Sequence, residues 1–145
     1  MRAAPAMPAN RLQLRLRACP LRVRRWACVG HLALIAVLSL VPAWLFPPAV
    51  SGIPGIDKWA HVAMYGALGG VLRWATGPAA AARTSRWLPV AGGGYGFLME
   101  LLQQWVGGGT RSFSWADAAA NLVGVVLGWG AAGRLLGGDE LIQTK

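Results

Sequence analysis

Four apolar runs, each close to the length that crosses a bilayer and each bracketed by tryptophans, constrain this chain most. They cover about residues 26–46, 59–76, 87–106 and 115–136. Roughly 20 residues span ~30 Å of hydrocarbon, so each run is a transmembrane helix by length, the second being slightly short. The eight tryptophans pair near the ends of the runs as Trp26/Trp44, Trp59/Trp74, Trp87/Trp105 and Trp115/Trp129. At ~1.5 Å per residue the members of a pair lie roughly 21–27 Å apart, as expected for indoles at both headgroup layers. Core packing explains one tryptophan more easily than four pairs in register. Composition agrees, with 55% hydrophobic residues, 13% charged and a mean hydropathy of +0.45. Soluble domains carry roughly 25% charged residues. The expected fold is all-α, an integral membrane four-helix bundle.

Charge then orients the bundle. The net charge is +9, and seven of the fourteen basic residues (Arg2, Arg11, Arg15, Arg17, Arg22, Arg24 and Arg25) precede the first run. A basic chain can signal nucleic-acid binding. Here the charge forms a juxtamembrane tail, so it reads as an orientation signal, and no nucleic-acid partner is expected. Arg83 and Arg86 fall in the second loop with Arg73 just ahead of it, whereas the first loop offers Lys58 and the third Arg111. The positive-inside rule therefore places both termini and the second loop in the cytoplasm. Residues 1–25 are read as a basic cytoplasmic tail, disordered apart from an Arg–Leu alternation at 11–17 that can lie along anionic lipid. Residues 26–136 form the membrane domain and 137–145 a short tail. The first run has no small-x-small cleavage site ahead of its full span, so it reads as a retained anchor.

The ionisable residues inside these runs carry the functional signal. Placing a charge at the membrane centre costs at least about 2.5–3.5 kcal/mol on insertion scales, so such residues face a protein interior or a watery cavity. One fragment is Asp57-Lys58-x-x-His61-x-x-x-Tyr65; the other is Glu100-x-x-Gln103, leading on to Arg111, Asp117 and Asn121. In the orientation above, all of them gather in the outer leaflet. Tyr65, Glu100 and Asn121 each lie about six residues from a helix end, roughly 9 Å deep. Asp57, His61, Tyr65 and Gly69 recur every four residues and share one stripe. Gly93, Gly96, Glu100 and Gln103 share a second, and Asp117, Asn121, Gly124 and Gly128 a third. The glycines allow close backbone approach below the polar groups. His31 is placed near the cytoplasmic end of the first helix, far from His61.

Asp57-Lys58-x-x-His61 with Tyr65 and Gly69, followed by Glu100-x-x-Gln103, Arg111, Asp117, Asn121 and Gly124, resembles the VanZ-like family over about residues 57–130. The resemblance implies a small helical membrane protein of the bacterial envelope; with the orientation above, the chain reads as a multi-pass inner-membrane protein whose pocket faces outward. The founding member is associated with teicoplanin resistance, and most members have no assigned activity. Two departures are the run Gly107-Gly108-Gly109, where many relatives have a Pro-containing turn, and the doubled Gln103-Gln104.

Function is argued from the site, since a fold does not supply it. In one reading, Glu100 and His61 act as general acid and base on an envelope component, a lipid-linked or peptidoglycan-related molecule. Arg111 then holds a phosphate or carboxylate, with Asp57, Lys58, Tyr65, Gln103, Asp117 and Asn121 binding and orienting the ligand. Ser112 and Ser114 are close by, but no nucleophile elbow surrounds them. A second reading is a non-catalytic binding or assembly module whose polar network mainly staples the helices. A transporter ranks third, because the inner halves offer little beyond Ser39, Tyr95 and Arg73. No cofactor is expected. Asp57, His61, Glu100 and Asp117 match no metal-ligand spacing, so no metal is expected either.

Overall fold

In a computed structural model, the described residues are 11–41, 55–84, 87–106 and 112–137, without the side chains of 78–84 and 137. Every regular element among them is an α-helix: α1 (Arg11–Ala18), α2 (Leu21–Leu40), α3 (Ile56–Thr84), α4 (Trp87–Val106) and α5 (Trp115–Gly137). Trp44, Arg86, Gly107–Gly109, Arg111 and residues 138–145 lie outside the described residues.

Two segments, Leu21–Leu40 in α2 and Trp115–Leu136 in α5, are long and apolar enough to cross a membrane, each with a hydropathy of 1.4. Helices α3 and α4 are as long but do not meet that test; they carry Asp57, Lys58 and His61, and Glu100, Gln103 and Gln104, among many glycines. The apolar surface points outward. Trp26, Trp59, Trp105 and Trp115 are each at least 71% exposed, and Leu34, Val37, Val123 and Leu127 are at least half exposed. Trp74 and Trp129 differ, and here packing wins over the interfacial placement expected of both. The Trp74 indole donates to Leu16 O (2.8 Å), and Trp129 is buried beneath the Arg73 guanidinium, 5.1 Å from its ring centroid.

The main seam joins α3 and α5, whose backbones almost touch. A Cβ on Gly69 would fall 2.1 Å from Val125 O, and one on Gly124 would fall 2.6 Å from Val62 O. The small residues expected to close the bundle do so along this seam. Helices α2 and α4 flank it, filling a core of Ile35, Tyr65, Leu68, Met99 and Val125. Two side chains tie α2 to its neighbours. His31 Nε2 lies 3.1 Å from Met64 O, and the Tyr95 hydroxyl donates to Leu32 O (2.7 Å). Because α2 begins at Leu21, His31 sits midway along it rather than at its end.

In the tail expected to be disordered apart from 11–17, Arg11–Ala18 is a helix and the next helix begins at Leu21. Helix α1 rests on the C-terminal end of α5, where unpaired carbonyls need donors. Gln13 Nε2 donates to Leu135 O (2.8 Å) and the Arg17 guanidinium to Leu136 O. Arg24 gathers three carbonyls, those of Cys19 (2.8 Å), Trp74 (3.3 Å) and Arg17. Gly77, whose φ is positive (71°), breaks α3 before the helix resumes. Arg24→Met is expected to free α1, since each hydrogen bond from a charged donor contributes about 1.5–3 kcal/mol. Limited trypsin digestion should then cut after Arg15 and Arg17 at least tenfold faster than in the wild type. An unchanged rate would show that Arg24 does not hold α1.

Candidate functional site

The polar side chains form two layers and a rim. At the rim, α3 and α5 both begin, so their positive dipole ends lie side by side and favour carboxylates. Asp57 enters α3 and Asp117 enters α5, and Lys58 Nζ bridges them at 2.7 Å and 3.5 Å. The hydrogen bond from Lys58 holds the Asp57 carboxyl below the usual carboxylate range. The same bond, helped by the charge of Asp117, raises the ammonium above its ordinary value. Ser114 caps α5: its Oγ accepts from the Asp117 backbone N–H (3.2 Å) in an S-x-x-D arrangement. That serine is a structural cap.

Beneath the rim, a cavity of about 270 Å³ opens between α2, α3 and α4. Its polar wall is Ser39, Asp57, His61 and Gln103; its apolar wall is Leu38, Ala60 and Met64. Gln103 turns inward and is buried, whereas Gln104 is exposed, which separates the two members of the doubled glutamine. Ser39 was read from sequence as a stray polar residue in the inner half. The rotation and depth of α2 instead bring it to the cavity, beside the Tyr65 hydroxyl. An isolated apolar helix gives no signal for that rotation.

Glu100, Asn121 and Tyr65 form the inner layer behind His61. Glu100 is 1% exposed and Asn121 and Tyr65 are 0% exposed. His61 Nδ1 lies 2.8 Å from Asn121 Oδ1 and 3.8 Å from Glu100 Oε1. The His61 and Tyr65 rings lie nearly parallel (13°), with centroids 6.4 Å apart. Gly96 makes room for this layer, because a Cβ there would meet Asn121 Cβ at 2.7 Å and Tyr65 Cε1 at 2.9 Å.

The arrangement fixes the imidazole. With Asn121 Oδ1 accepting from Nδ1–H, the neutral ring keeps its lone pair on Nε2, the nitrogen left for the cavity. Glu100 can stabilise the ring once it takes a proton, as a buried carboxylate behind a histidine does. Glu100 thus reaches the cavity through His61, rather than facing it as helical spacing alone suggested. The possible metal set is spread across both layers and the rim: among the described residues, no three His, Cys, Asp or Glu side chains are placed to hold a metal ion. A larger apolar cleft of about 490 Å³ between α4 and α5 is lined by residues such as Val90, Phe97 and Leu122 and no ionisable side chain. No family model, curated protein or solved structure matches the chain.

Proposed function

We propose that the chain is a multi-pass protein of a bacterial inner membrane, related to the VanZ-like family, whose outward-facing pocket binds the polar head of a lipid-linked or peptidoglycan-related envelope molecule. Four helices, α2 to α5, cross the bilayer in this reading. The observation that carries it is the inverted distribution of polarity. Glu100, Gln103, Asn121 and Ser39 are buried, while leucines, valines and tryptophans of the same helices face outward. A water-soluble bundle would bury the second set and expose the first. Hydrocarbon outside and a polar interior suit a membrane protein, and ionisable groups held there are costly enough to mark a site. The bias of basic residues toward the amino terminus supports cytoplasmic termini, and hence a pocket facing the periplasm.

The cavity has the two-sided character that an amphiphile needs. Leu38, Ala60 and Met64 offer an apolar wall next to Ser39, His61 and Gln103, which offer hydrogen bonds. Arg111, outside the described residues, is the cation proposed to take a phosphate or carboxylate. A catalytic variant of the reading is favoured by one observation, the Asn121–His61–Glu100 alignment that leaves Nε2 as a base. Product exceeding one equivalent per protein would establish turnover; saturation at one equivalent would establish binding alone.

The test is survival of cells producing wild type, His61→Gln or Arg111→Ala on a panel of envelope-active compounds, glycopeptides included, with membrane levels measured. Wild type should protect against at least one compound, and both variants should lose protection at equal abundance. If all three behave alike throughout the panel, the pocket has no part in tolerance.

A further inference from the structure

We propose that α1 and the first turns of α2 form a basic collar that selects anionic phospholipid headgroups at the membrane face opposite the pocket. This rests on the membrane reading above, though not on what the pocket binds. The arginines here divide into two sets. Arg17 and Arg24 turn inward to backbone carbonyls and fasten α1 to α3 at Trp74 and to the end of α5. Arg11, Arg15, Arg22 and Arg25 are exposed, as is Arg134 in the last turn of α5. No acidic residue precedes Asp57 in the sequence, and Asp139 and Glu140, which follow α5, lie outside the described residues.

Exposed apolar side chains are interleaved with these arginines: Leu12, Leu14, Leu21 and Val23 are each 46–60% exposed. Water alone would leave both sets unfavourably placed, the apolar groups hydrated and the cations crowded. At a lipid surface, leucines enter the acyl boundary while guanidinium groups reach the phosphates. The inward hydrogen bonds matter because they hold α1 at a fixed place. The arginines therefore present one surface that is continuous with the bundle. Association of basic residues with an anionic leaflet grows with each Lys or Arg near the surface, and four or five together discriminate strongly against zwitterionic lipid.

The experiment uses the full chain in nanodiscs of equimolar phosphatidylglycerol and phosphatidylcholine, with retained lipids counted by native mass spectrometry. Wild type is expected to retain phosphatidylglycerol over phosphatidylcholine by at least about tenfold. The quadruple variant R11Q/R15Q/R22Q/R25Q should bring the ratio near parity. Raised salt on wild type should do the same by screening, which guards against a variant that inserts wrongly. Equal retention of the two lipids by wild type, or a preference unchanged by both salt and substitution, would overturn the collar. So would a duplex oligonucleotide that displaces phosphatidylglycerol at equal phosphate concentration, which would reassign the surface to nucleic acid. Carbonate washing of membranes separates the two readings. A chain that washes off fails the membrane reading, whereas one that stays without lipid preference fails the collar alone.

Discussion

Gly128→Ala is expected to unfold the bundle or prevent its accumulation, the largest effect of a single added methyl group at any described glycine. A Cβ at this position would sit 1.7 Å from Gly66 O and 2.6 Å from the carbonyl carbon. Flexible side chains can yield to an intruding methyl, but here the obstacle is the α3 backbone itself. The two helices must part, which would undo the neighbouring approaches at Gly69 and Gly124 as well. Overpacking a core costs about 1–3 kcal/mol when side chains can shift, so a backbone clash should cost at least about 4 kcal/mol. That is a large part of the 5–15 kcal/mol typical of a folded domain. Gly94 and Gly130 supply the controls, since a Cβ on either meets nothing within 4 Å. Alanine there should be neutral, or stabilising by up to about 1 kcal/mol through helix propensity. Thermal unfolding in detergent, followed by tryptophan fluorescence, separates the cases. If Gly128→Ala melts with Gly130→Ala, the α3–α5 seam is looser than described.

Much of that seam was legible in the sequence because helical spacing is rigid. Gly69 follows Asp57, His61 and Tyr65 at intervals of four, and Asp117, Asn121, Gly124 and Gly128 are spaced four, three and four apart, so shared faces follow from counting alone. Counting does not give the order of layers across a bundle. His61 and Glu100 approach from opposite helices, and the stripe rule says that both face inward without saying which stands nearer the cavity. Ser39 was misplaced for a related reason: α2 has one buried polar residue and no partner pattern to set its rotation. The ordering of 11–25 was hidden more deeply. Most of its anchors are backbone carbonyls, among them those of Leu135 and Leu136 more than 100 residues away, and a carbonyl leaves no mark on the identity of its residue. Tryptophan placement misled at Trp74 and Trp129 because an indole serves equally well at a headgroup layer and beneath a guanidinium.

Replacing Glu100 by glutamine is expected to abolish the function of the pocket while leaving the bundle folded. The carboxyl sits among His61, Asn121 and Asp117, fully removed from solvent. Glutamine keeps the shape and can still hydrogen-bond to its neighbours, so thermal stability should change by less than about 1.5 kcal/mol. It cannot balance the positive charge that His61 gains on accepting a proton. If His61 acts as a base, loss of that balance should lower turnover by about a hundredfold or more. Asn121→Ala should behave differently. It removes the acceptor that holds Nδ1–H, leaves buried polar atoms unmatched at a cost of about 1–3 kcal/mol, and frees the ring to carry its proton on either nitrogen. Imidazole ¹⁵N shifts read that tautomer directly. Wild type and Glu100→Gln should show Nδ1 protonated, and Asn121→Ala a mixture. Should Glu100→Gln instead keep both stability and function, the cluster is a staple between α3, α4 and α5. A staple needs only hydrogen bonds, which an amide supplies as well as a carboxylate, so a charge would be an expensive choice for that role.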